Sequence, residues 1–174
     1  MVQHRFTTDR LQVTHWRTAI STAQGRADLE AALTGLLTHE VLRHLPPTFQ
    51  IAGAQDAVAR WIAARDAESD VLTITHRKSG ALLGLMILAP DPETAHPPRL
   101  HLGYLLGEPA WGKGYATELI RGFAAAQSGQ APLTLQGGVA TDNPASARVL
   151  TKCGFTLRTD LSDGETQIYE RAIP

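Results

Sequence analysis

Residues 111–116 read Trp111-Gly112-Lys113-Gly114-Tyr115-Ala116, and this stretch decides how the rest of the chain is interpreted. It lies between a strand-like run at residues 100–106 and a helix-like run at residues 117–127. Two glycines separated by one residue allow a tight turn in which several backbone N–H groups point into one small volume. The helix that follows brings the positive end of its dipole to the same place. The stretch therefore predicts a binding site for a phosphate or diphosphate, although a plain tight turn is compatible with the same residues.

A second informative stretch, residues 142–155, reads DNPASARVLTKCGF. Asn143 followed by Pro144 predicts a helix N-cap and the first helical residue. Gly154 followed by Phe155 predicts the end of that helix. Polar groups gather at the start of the helix, namely Asn143, Ser146 and Arg148. An ordinary capped helix explains the two caps, but it does not explain the order and spacing of the two stretches.

Hydrophobic periodicity predicts the remaining elements. Strands are predicted at residues 11–14, 71–77, 81–88, 99–106 and 133–140, with a C-terminal hairpin formed by residues 155–161 and 166–172. Helices are predicted at residues 29–45, 55–67, 117–127 and 144–153. This order favours the α/β class, with one mixed sheet and helices on both of its faces.

Several local signals set the expected boundaries. Asp28 is predicted to cap the first helix because Gly25 interrupts the residues before it, and Pro46-Pro47 is predicted to end that helix. The pair Gly137-Gly138 predicts a bulge or a close backbone approach within its strand. Residues 89–98 contain four prolines and are predicted to form an exposed loop.

Composition excludes several classes of protein. The 174 residues predict a single domain, 1–174, and a net charge of −1 without a basic block argues against a nucleic-acid partner. The single cysteine, Cys153, excludes an internal disulfide and a Cys-based zinc site, and no metal cofactor is expected. We expect Cys153 to pack inward rather than to act as a nucleophile. Without a signal peptide or an apolar run of membrane length, we expect a cytoplasmic protein with no membrane partner.

Three pieces of the sequence together resemble the GNAT acetyltransferases, and within them the RimJ/RimL-like branch of ribosomal-protein N-acetyltransferases. They are residues 8–13 (TDRLQV), residues 103–118 (GYLLGEPAWGKGYATE) and residues 143–155 (NPASARVLTKCGF), and residues 42–47 (LRHLPP) also fit this branch. The resemblance implies the GNAT acyl-CoA N-acyltransferase fold, in which the central strands splay apart. It also implies acetyl-CoA as the acyl donor.

In the resemblance, the pantetheine arm of acetyl-CoA lies in the gap between the splayed strands, and the glycine-containing turn holds its diphosphate. The residues that would bind it are Tyr104, Leu105, Leu106, Trp111, Gly112, Lys113, Gly114, Tyr115, Ala116, Thr117, Asn143 and Ser146. Thr117 would add a hydroxyl group. Lys113 would add a charge, or it is an ordinary solvated surface lysine.

Acyl transfer from a thioester to an amine needs a polarised carbonyl and a proton for the leaving thiolate. The resemblance assigns the carbonyl to the N–H group of Leu106. The tyrosine that many relatives use as proton donor would fall at Leu150, so the branch offers Ser146 instead. Asn143 would orient the thioester or a water molecule. Ser146 also has a purely structural interpretation, as a helix N3 residue that bonds the helix end.

Acyl transfer also needs a neutral amine, so a general base must remove a proton from the acceptor. The sequence does not assign this base to one residue. Some relatives carry a carboxylate on the strand before the glycine turn, where this chain has Arg99, Leu100 and His101. His101 is the candidate, against an ordinary solvent-facing or hydrogen-bonded core histidine. Asp160 and Glu165, which flank the terminal hairpin turn, are alternatives, and relatives can also work through a water chain.

The resemblance places the acceptor pocket between the first helices and the terminal hairpin, with Leu45, Phe49, Tyr104 and residues 160–166 as its expected lining. The acceptor expected from the branch is a protein or peptide N-terminal α-amine, and the alternative is a small amine such as a polyamine, an antibiotic or an amino-acid derivative. A homodimer is compatible with the resemblance. Two other classes stay open, a non-catalytic acyl-CoA-binding module and a nucleotide-phosphate-binding protein, although the second lacks a complete P-loop sequence.

Overall fold

An eight-stranded mixed sheet forms the centre of the computed structural model, which describes residues 2–51, 53, 56–91 and 97–174. The strands are β1 (Phe6–Thr7), β2 (Leu11–His15), β3 (Asp70–His76), β4 (Leu82–Pro90), β5 (Arg99–Leu106), β6 (Leu133–Ala140), β7 (Thr156–Arg158) and β8 (Thr166–Ile173). The helices are α1 (Arg17–Ile20), α2 (Ala23–Leu36), α3 (His39–Leu42), α4 (Ala57–Glu68), α5 (Tyr115–Gln127) and α6 (Pro144–Lys152). None of the described helices combines the length and apolarity that crossing a bilayer requires.

The central strands of the sheet separate partway along their length. The strand order is β1-β2-β3-β4-β5-β6-β8-β7, and β5 and β6 form the parallel pair in an otherwise antiparallel sheet. Their described pairing runs from Arg99↔Thr134 to His101↔Gln136, although β5 continues to Leu106 and β6 to Ala140. We call the opening between residues 102–106 of β5 and 137–140 of β6 the cleft. The predicted fold class, a mixed sheet with splayed central strands and helices on both faces, is confirmed.

The two faces of the sheet pack against different helices, because neighbouring side chains of a strand point to opposite faces. On β5, Leu100, Leu102 and Leu106 are buried together with side chains of α5 and α6. Leu105, on the other face, is buried together with side chains of α2, α3 and α4. We call these two surfaces the α5–α6 face and the α2–α4 face.

The N-terminal helices differ from the predicted single helix. The prediction that Asp28 caps the first helix is wrong, because α2 begins at Ala23 and the Thr22 hydroxyl accepts the cap hydrogen bond from the Gly25 N–H group at 3.0 Å. Gly25 permits a close approach instead of breaking the helix, since a Cβ atom there would lie 2.2 Å from the Ala19 carbonyl oxygen. The predicted helix also divides after Leu36, and Thr38 caps the separate helix α3.

The predictions for the other elements are close to the structure. The predicted bounds of β5 and β6 are confirmed, and the helix predicted from residue 55 begins at Ala57 in the described part of the chain. Gln55 and residues 92–96 of the predicted loop lie outside the described residues. Gly137 and Gly138 pair with β8 in an uninterrupted register, so the glycines mark a close approach and not a bulge. A Cβ atom at Gly137 would lie 3.0 Å from Cδ1 of Leu150 in α6.

Candidate active site

The glycine turn before α5 has the backbone geometry that its sequence predicts. Gly112 and Gly114 have φ values of 70° and 78°, in the left-handed region that side chains with a Cβ atom rarely adopt. Gly114 is the N-cap of α5, so Tyr115 is the first helical residue, two positions earlier than predicted. Among the described residues, no atom accepts a hydrogen bond from the N–H groups of residues 112–117. A row of backbone donors at a helix N-terminus therefore remains available to an anion.

The first sequence piece, residues 8–13, holds this turn in place. The Glu118 carboxylate accepts hydrogen bonds from the Thr8 hydroxyl at 2.5 Å, from the Arg10 N–H group at 2.9 Å and from Arg10 Nε at 2.6 Å. Arg10 Nη1 donates to the Lys113 carbonyl at 3.0 Å, and its guanidinium carbon lies 4.3 Å from the centre of the Tyr115 ring. These contacts fix the carbonyl of the turn and the first turn of α5. We call Thr8, Arg10 and Glu118 the clamp.

Electrostatics support the charged form of the clamp. Burial by itself raises the pKa of Glu118, but the hydrogen bonds from Thr8 and Arg10 outweigh this effect and bring the pKa below its ordinary value. The carboxylate is therefore ionised at neutral pH. The sequence identified residues 8–13 without a role for them, because the contact joins positions about a hundred residues apart.

The backbone of β5 offers alternate groups to the cleft. In an antiparallel pair, successive residues point their N–H and C=O groups to opposite sides. The Gly107 N–H group donates to the Leu83 carbonyl of β4 at 2.9 Å, whereas the Pro98 carbonyl accepts from Thr134 of β6 at 2.9 Å. Even-numbered residues of β5 thus face β6 and the cleft. This narrows the predicted backbone ligands to Tyr104 and Leu106, because the N–H and C=O groups of Leu105 face β4.

The Trp111 side chain holds the C-terminal end of β5 in place. Its indole Nε1 donates to the Leu106 carbonyl at 2.7 Å, while 48% of the residue remains exposed. Trp111 thus has a structural contact in addition to the cofactor contact that the sequence predicts. The side chain orients the last backbone group of β5 that faces the cleft.

A pair of hydroxyl groups lies beside the cleft on the α5–α6 face. The Tyr104 hydroxyl and the Ser146 Oγ are 3.0 Å apart. The Asn143 side chain caps α6 by accepting from the Ser146 N–H group at 3.2 Å, and the Ser146 hydroxyl contacts Tyr104 instead of acting as the cap. Burial raises the pKa of Tyr104, which keeps the phenol protonated at neutral pH. The pair is thus able to donate a proton.

Tyr104 places a tyrosine hydroxyl beside Ser146, whereas Leu150 occupies the position that the resemblance gives to a proton-donating tyrosine. Leu150 is buried in the core between α6 and the sheet. The sequence assigned Tyr104 only a backbone contact and a place in the acceptor pocket, and it missed the hydroxyl group. The available signal was the alternation along β5, which places Tyr104 on the same face as α6.

His101 points to the α2–α4 face and contacts Asp91, whereas the alternative carboxylates lie in or beside the terminal hairpin turn. His101 Nε2 is 3.6 Å from the Asp91 carboxylate, and the imidazole lies at the closed end of the cleft, where β5 and β6 still pair. Hydrogen bonds from Arg158 lower the pKa of Asp160, which makes that carboxylate a weak base. Glu165 is exposed, and its backbone completes the hairpin turn by bonding Asp163 and Thr141.

The two remaining residues predicted for the acceptor pocket, Phe49 and Leu45, have contacts in the core on the α2–α4 face. Phe49 packs against α4, where its ring centre lies 6.3 Å from that of Trp61 and 4.5 Å from the guanidinium carbon of Arg65. Leu45 packs on the same core.

Cys153 is buried, its Sγ lies 3.7 Å from the Thr117 carbonyl oxygen, and burial raises its pKa. A protonated, enclosed thiol is not a nucleophile, as the sequence predicted.

One group of potential metal ligands lies away from the cleft, where β2 and β3 meet. His4, His15 and Asp70 offer ligand atoms within 4.8 Å of one another. The Arg17 N–H group donates to His15 Nδ1 at 3.1 Å, which assigns the proton to Nε2, the nitrogen that lies 3.1 Å from Asp70. His15 is thus a hydrogen-bond donor to Asp70 through Nε2. Both of its ring nitrogens are engaged, so neither has a free lone pair for a metal ion shared with that carboxylate.

Comparison with known proteins agrees with this geometry. Residues 17–156 match the sequence profile of the acetyltransferase (GNAT) domain. The fold is similar to that of a GNAT-family acetyltransferase from Bacillus anthracis, with a TM-score of 0.67 and 14% identity over 97% of each chain. It is also similar to RimL, a ribosomal α-N-protein acetyltransferase solved with coenzyme A, with a TM-score of 0.68 and 14% identity over 95% of this chain and 96% of that one.

A third solved structure with the same fold is the spermidine N-acetyltransferase from Vibrio cholerae in complex with CoA and spermine. Its TM-score is 0.69 at 12% identity, over 95% of this chain and 96% of that one. No curated protein matches the chain by sequence. At these identities the solved structures establish the fold, and the profile match establishes the family.

Proposed function

Because the chain belongs to the GNAT acetyltransferase family, we propose that this N-acetyltransferase transfers the acetyl group of acetyl-CoA to the N-terminal α-amine of a protein or peptide. One observation carries the proposal. The cleft between β5 and β6 ends at a row of unpaired N–H groups in residues 112–117, and the Tyr104–Ser146 pair lies beside it. The row of N–H groups suits the diphosphate, the cleft suits the extended pantetheine, and the hydroxyl pair suits the thioester.

The cofactor side uses backbone groups. In our proposal the N–H groups of residues 112–117 bind the diphosphate, with the Thr117 hydroxyl as a further donor. The even-numbered residues Tyr104 and Leu106 pair with the pantetheine amides as a neighbouring strand would. Lys113 is exposed, and its carbonyl is held by Arg10, so its ammonium group adds charge without a fixed position.

The chemical step uses groups on opposite faces of the sheet. The Leu106 N–H group, which faces the cleft, polarises the thioester carbonyl. The Tyr104–Ser146 pair, on the α5–α6 face, protonates the departing thiolate, and Asn143 holds the α6 terminus that carries Ser146. The acceptor amine then approaches from the α2–α4 face, where the predicted base His101 lies.

Charge on the α2–α4 face favours a peptide over a polyamine. Two carboxylates near the closed end of the cleft, Asp91 and Glu170, are each paired with arginine. Asp91 accepts from Arg99 Nη1 at 3.0 Å, and Glu170 contacts both Arg158 and Arg99. A polycation gains little from carboxylates that are already neutralised. The likeness to the spermidine enzyme still makes a small amine the alternative acceptor.

We also assign the chain to the RimJ/RimL-like branch, because residues 8–13 form the clamp on the glycine turn. We treat residues 1–174 as a single acetyltransferase domain. Support comes from the sheet, which contains β1 near the N-terminus and β8 near the C-terminus. A chain whose two ends share one sheet offers no internal boundary for a second core.

A thiol-release screen tests the function. Short peptides with a free N-terminus, the same peptides with an acetylated N-terminus, and spermidine are each supplied with acetyl-CoA. We expect thiol release with the free peptides and none above background hydrolysis with the blocked ones. Faster turnover of spermidine would establish the small-amine alternative.

The same preparation separates the remaining classes. Tight CoA binding by calorimetry without thiol release for any amine would establish a non-catalytic binding module. Retention of ATP in preference to CoA would contradict the family-based proposal for the glycine turn. We expect CoA to displace ATP.

A further inference from the structure

A short segment of the chain, residues 38–45, crosses the cleft on the α2–α4 face. At its start, the Thr38 hydroxyl donates to the Glu108 carboxylate at 2.6 Å, and Glu108 follows β5. Near its end, His44 Nδ1 lies 3.1 Å from the Asp142 carboxylate, and Asp142 follows β6. The segment is therefore attached to both strands that border the cleft. Val41 and Leu42 are buried with Leu105, which fixes the middle of the segment against the sheet.

The hydrogen bonds of His44 assign its protons. Arg43 Nη2 lies 3.2 Å from His44 Nε2, and a guanidinium group can only donate. Nε2 therefore presents a lone pair, and Nδ1 carries the proton that is donated to Asp142. An imidazole held by a carboxylate through Nδ1–H, with a lone pair on Nε2, has the arrangement of a general base. The Arg43 guanidinium donates to this lone pair in the structure.

We propose that His44 is the general base of the reaction, with Asp142 as the residue that positions it. This inference depends on the proposed function. Nε2 of His44 takes one proton from the acceptor ammonium, and the lone pair left on nitrogen forms the new bond to the acetyl carbon. The carbon–sulfur bond breaks with its electron pair on sulfur, and the second amine proton reaches that sulfur through the Tyr104–Ser146 pair.

Connectivity places His44 at the reacting end of the cleft. Asp142 directly precedes Asn143, whose side chain caps Ser146, and Ser146 meets Tyr104. His44 thus borders the same opening as the proton donor but on the opposite face of the sheet, which is the face that the amine approaches. His101, by contrast, lies where β5 and β6 are still paired.

The charged groups that the described structure places around His44 come from two elements. Arg43 is its neighbour in the chain and also pairs with Glu40 of α3 at 3.4 Å. Asp142 belongs to the connection between β6 and α6. Arg43 is exposed, so an acceptor displaces it without disturbing the core.

Two substitutions at His44 separate catalysis from attachment of the segment. In H44N the side-chain amide takes the place of Nδ1–H and keeps the bond to Asp142, but it cannot accept a proton. H44Q places its amide near Nε2 and loses that bond. We expect H44N to lower kcat/KM at pH 7 by about 100-fold, with CoA affinity unchanged by calorimetry. We also expect it to abolish the rising limb of the wild-type pH profile.

H101Q and D142N are measured in parallel, with the peptide that the wild type acetylates fastest. We expect H101Q to retain the rising limb and D142N to lose about 10-fold in kcat/KM, since the base remains but is less well held. An active wild type with an equally active H44N would overturn the assignment of the base alone. A wild type that releases no thiol with any amine would overturn the proposed function and this inference with it.

Discussion

The side of the cleft proposed for the cofactor and the side proposed for the acceptor are specified in different ways. The cofactor side depends on backbone conformation, because Gly112 and Gly114 allow adjacent residues to present their N–H groups together. The acceptor side depends on side chains from distant positions, as when His44 meets Asp142, 98 residues away. A backbone site should fail completely when its conformation is lost. A site built from side chains should lose only part of its activity with each single substitution.

Among the variants that test this comparison, G114V should have the largest effect. A β-branched residue at a φ of 78° is strained by about 1–3 kcal/mol, and its Cβ atom would lie 3.7 Å from Arg10 Nη2 of the clamp, so the turn should lose its conformation. Losing two charge-assisted hydrogen bonds costs at least about 3 kcal/mol, or about 100-fold in CoA affinity by calorimetry. The control is G129V, at a φ of 83° after α5, where a Cβ atom meets nothing within 4 Å. Unchanged CoA affinity in folded G114V would refute a backbone-determined site.

A smaller effect is expected from S146A and Y104F, which remove one hydroxyl each from the proton-donating pair. Because the remaining hydroxyl still donates, kcat should fall only about 10-fold for each, with little change in KM. The double variant should lose less than the product of the two, since the residues act as a unit. The control is Y169F, which removes a hydroxyl that donates to Gln167 at 3.1 Å. Full turnover in both single variants would remove the pair from the mechanism.

The clamp joins the two kinds of site, since side chains there hold a backbone turn. E118Q should lower the free energy of unfolding by about 1–2 kcal/mol, because hydrogen bonds to a charged acceptor become neutral ones. The control is D9N, at the exposed acid between Thr8 and Arg10. Both are measured by denaturant unfolding, and E118Q should also raise the KM for acetyl-CoA. A stability loss without any change in KM would mean that the clamp supports only the fold.

The pH dependence of the clamp has a definite sign. Hydrogen bonds from Thr8 and Arg10 hold the pKa of Glu118 below its ordinary value of 4.5, so the stabilisation from its carboxylate is fully present above about pH 4.5. This contribution is lost as the pH falls through the lowered pKa. The stability of E118Q should therefore fall less steeply than that of the wild type in acid. Parallel curves for the two proteins would contradict the assignment.

The smallest effect is expected from W111F, which removes the indole N–H bond to the Leu106 carbonyl. One neutral hydrogen bond contributes about 0.5–1.5 kcal/mol, so the KM for acetyl-CoA should rise about 2- to 10-fold. The control is W61F, which removes an indole bond of 2.9 Å to the Phe49 carbonyl away from the cofactor side. An equal change in KM for both variants would show that the Trp111 bond has no local role.

The sequence predicted the features that depend on backbone conformation better than the contacts between distant side chains. Asn143-Pro144 and the glycine turn were located correctly, because caps and positive φ values depend on adjacent residues. Asp28 was the wrong cap, since the close contact of Gly25 with Ala19 comes from packing between helices and not from a pattern along the chain. The Tyr104 hydroxyl was missed for a similar reason. Its partner Ser146 is 42 residues away.

By itself, the sequence determined the class of the fold and the position of the glycine turn. These properties follow from periodicity, glycine spacing and helix caps, which act over a few neighbouring residues. Only the tertiary structure decided which side chains share the cleft, because β5 and β6 part and residues 38–45 close over them. Contacts of that kind depend on where separate elements meet, and the amino-acid order leaves no local trace of that.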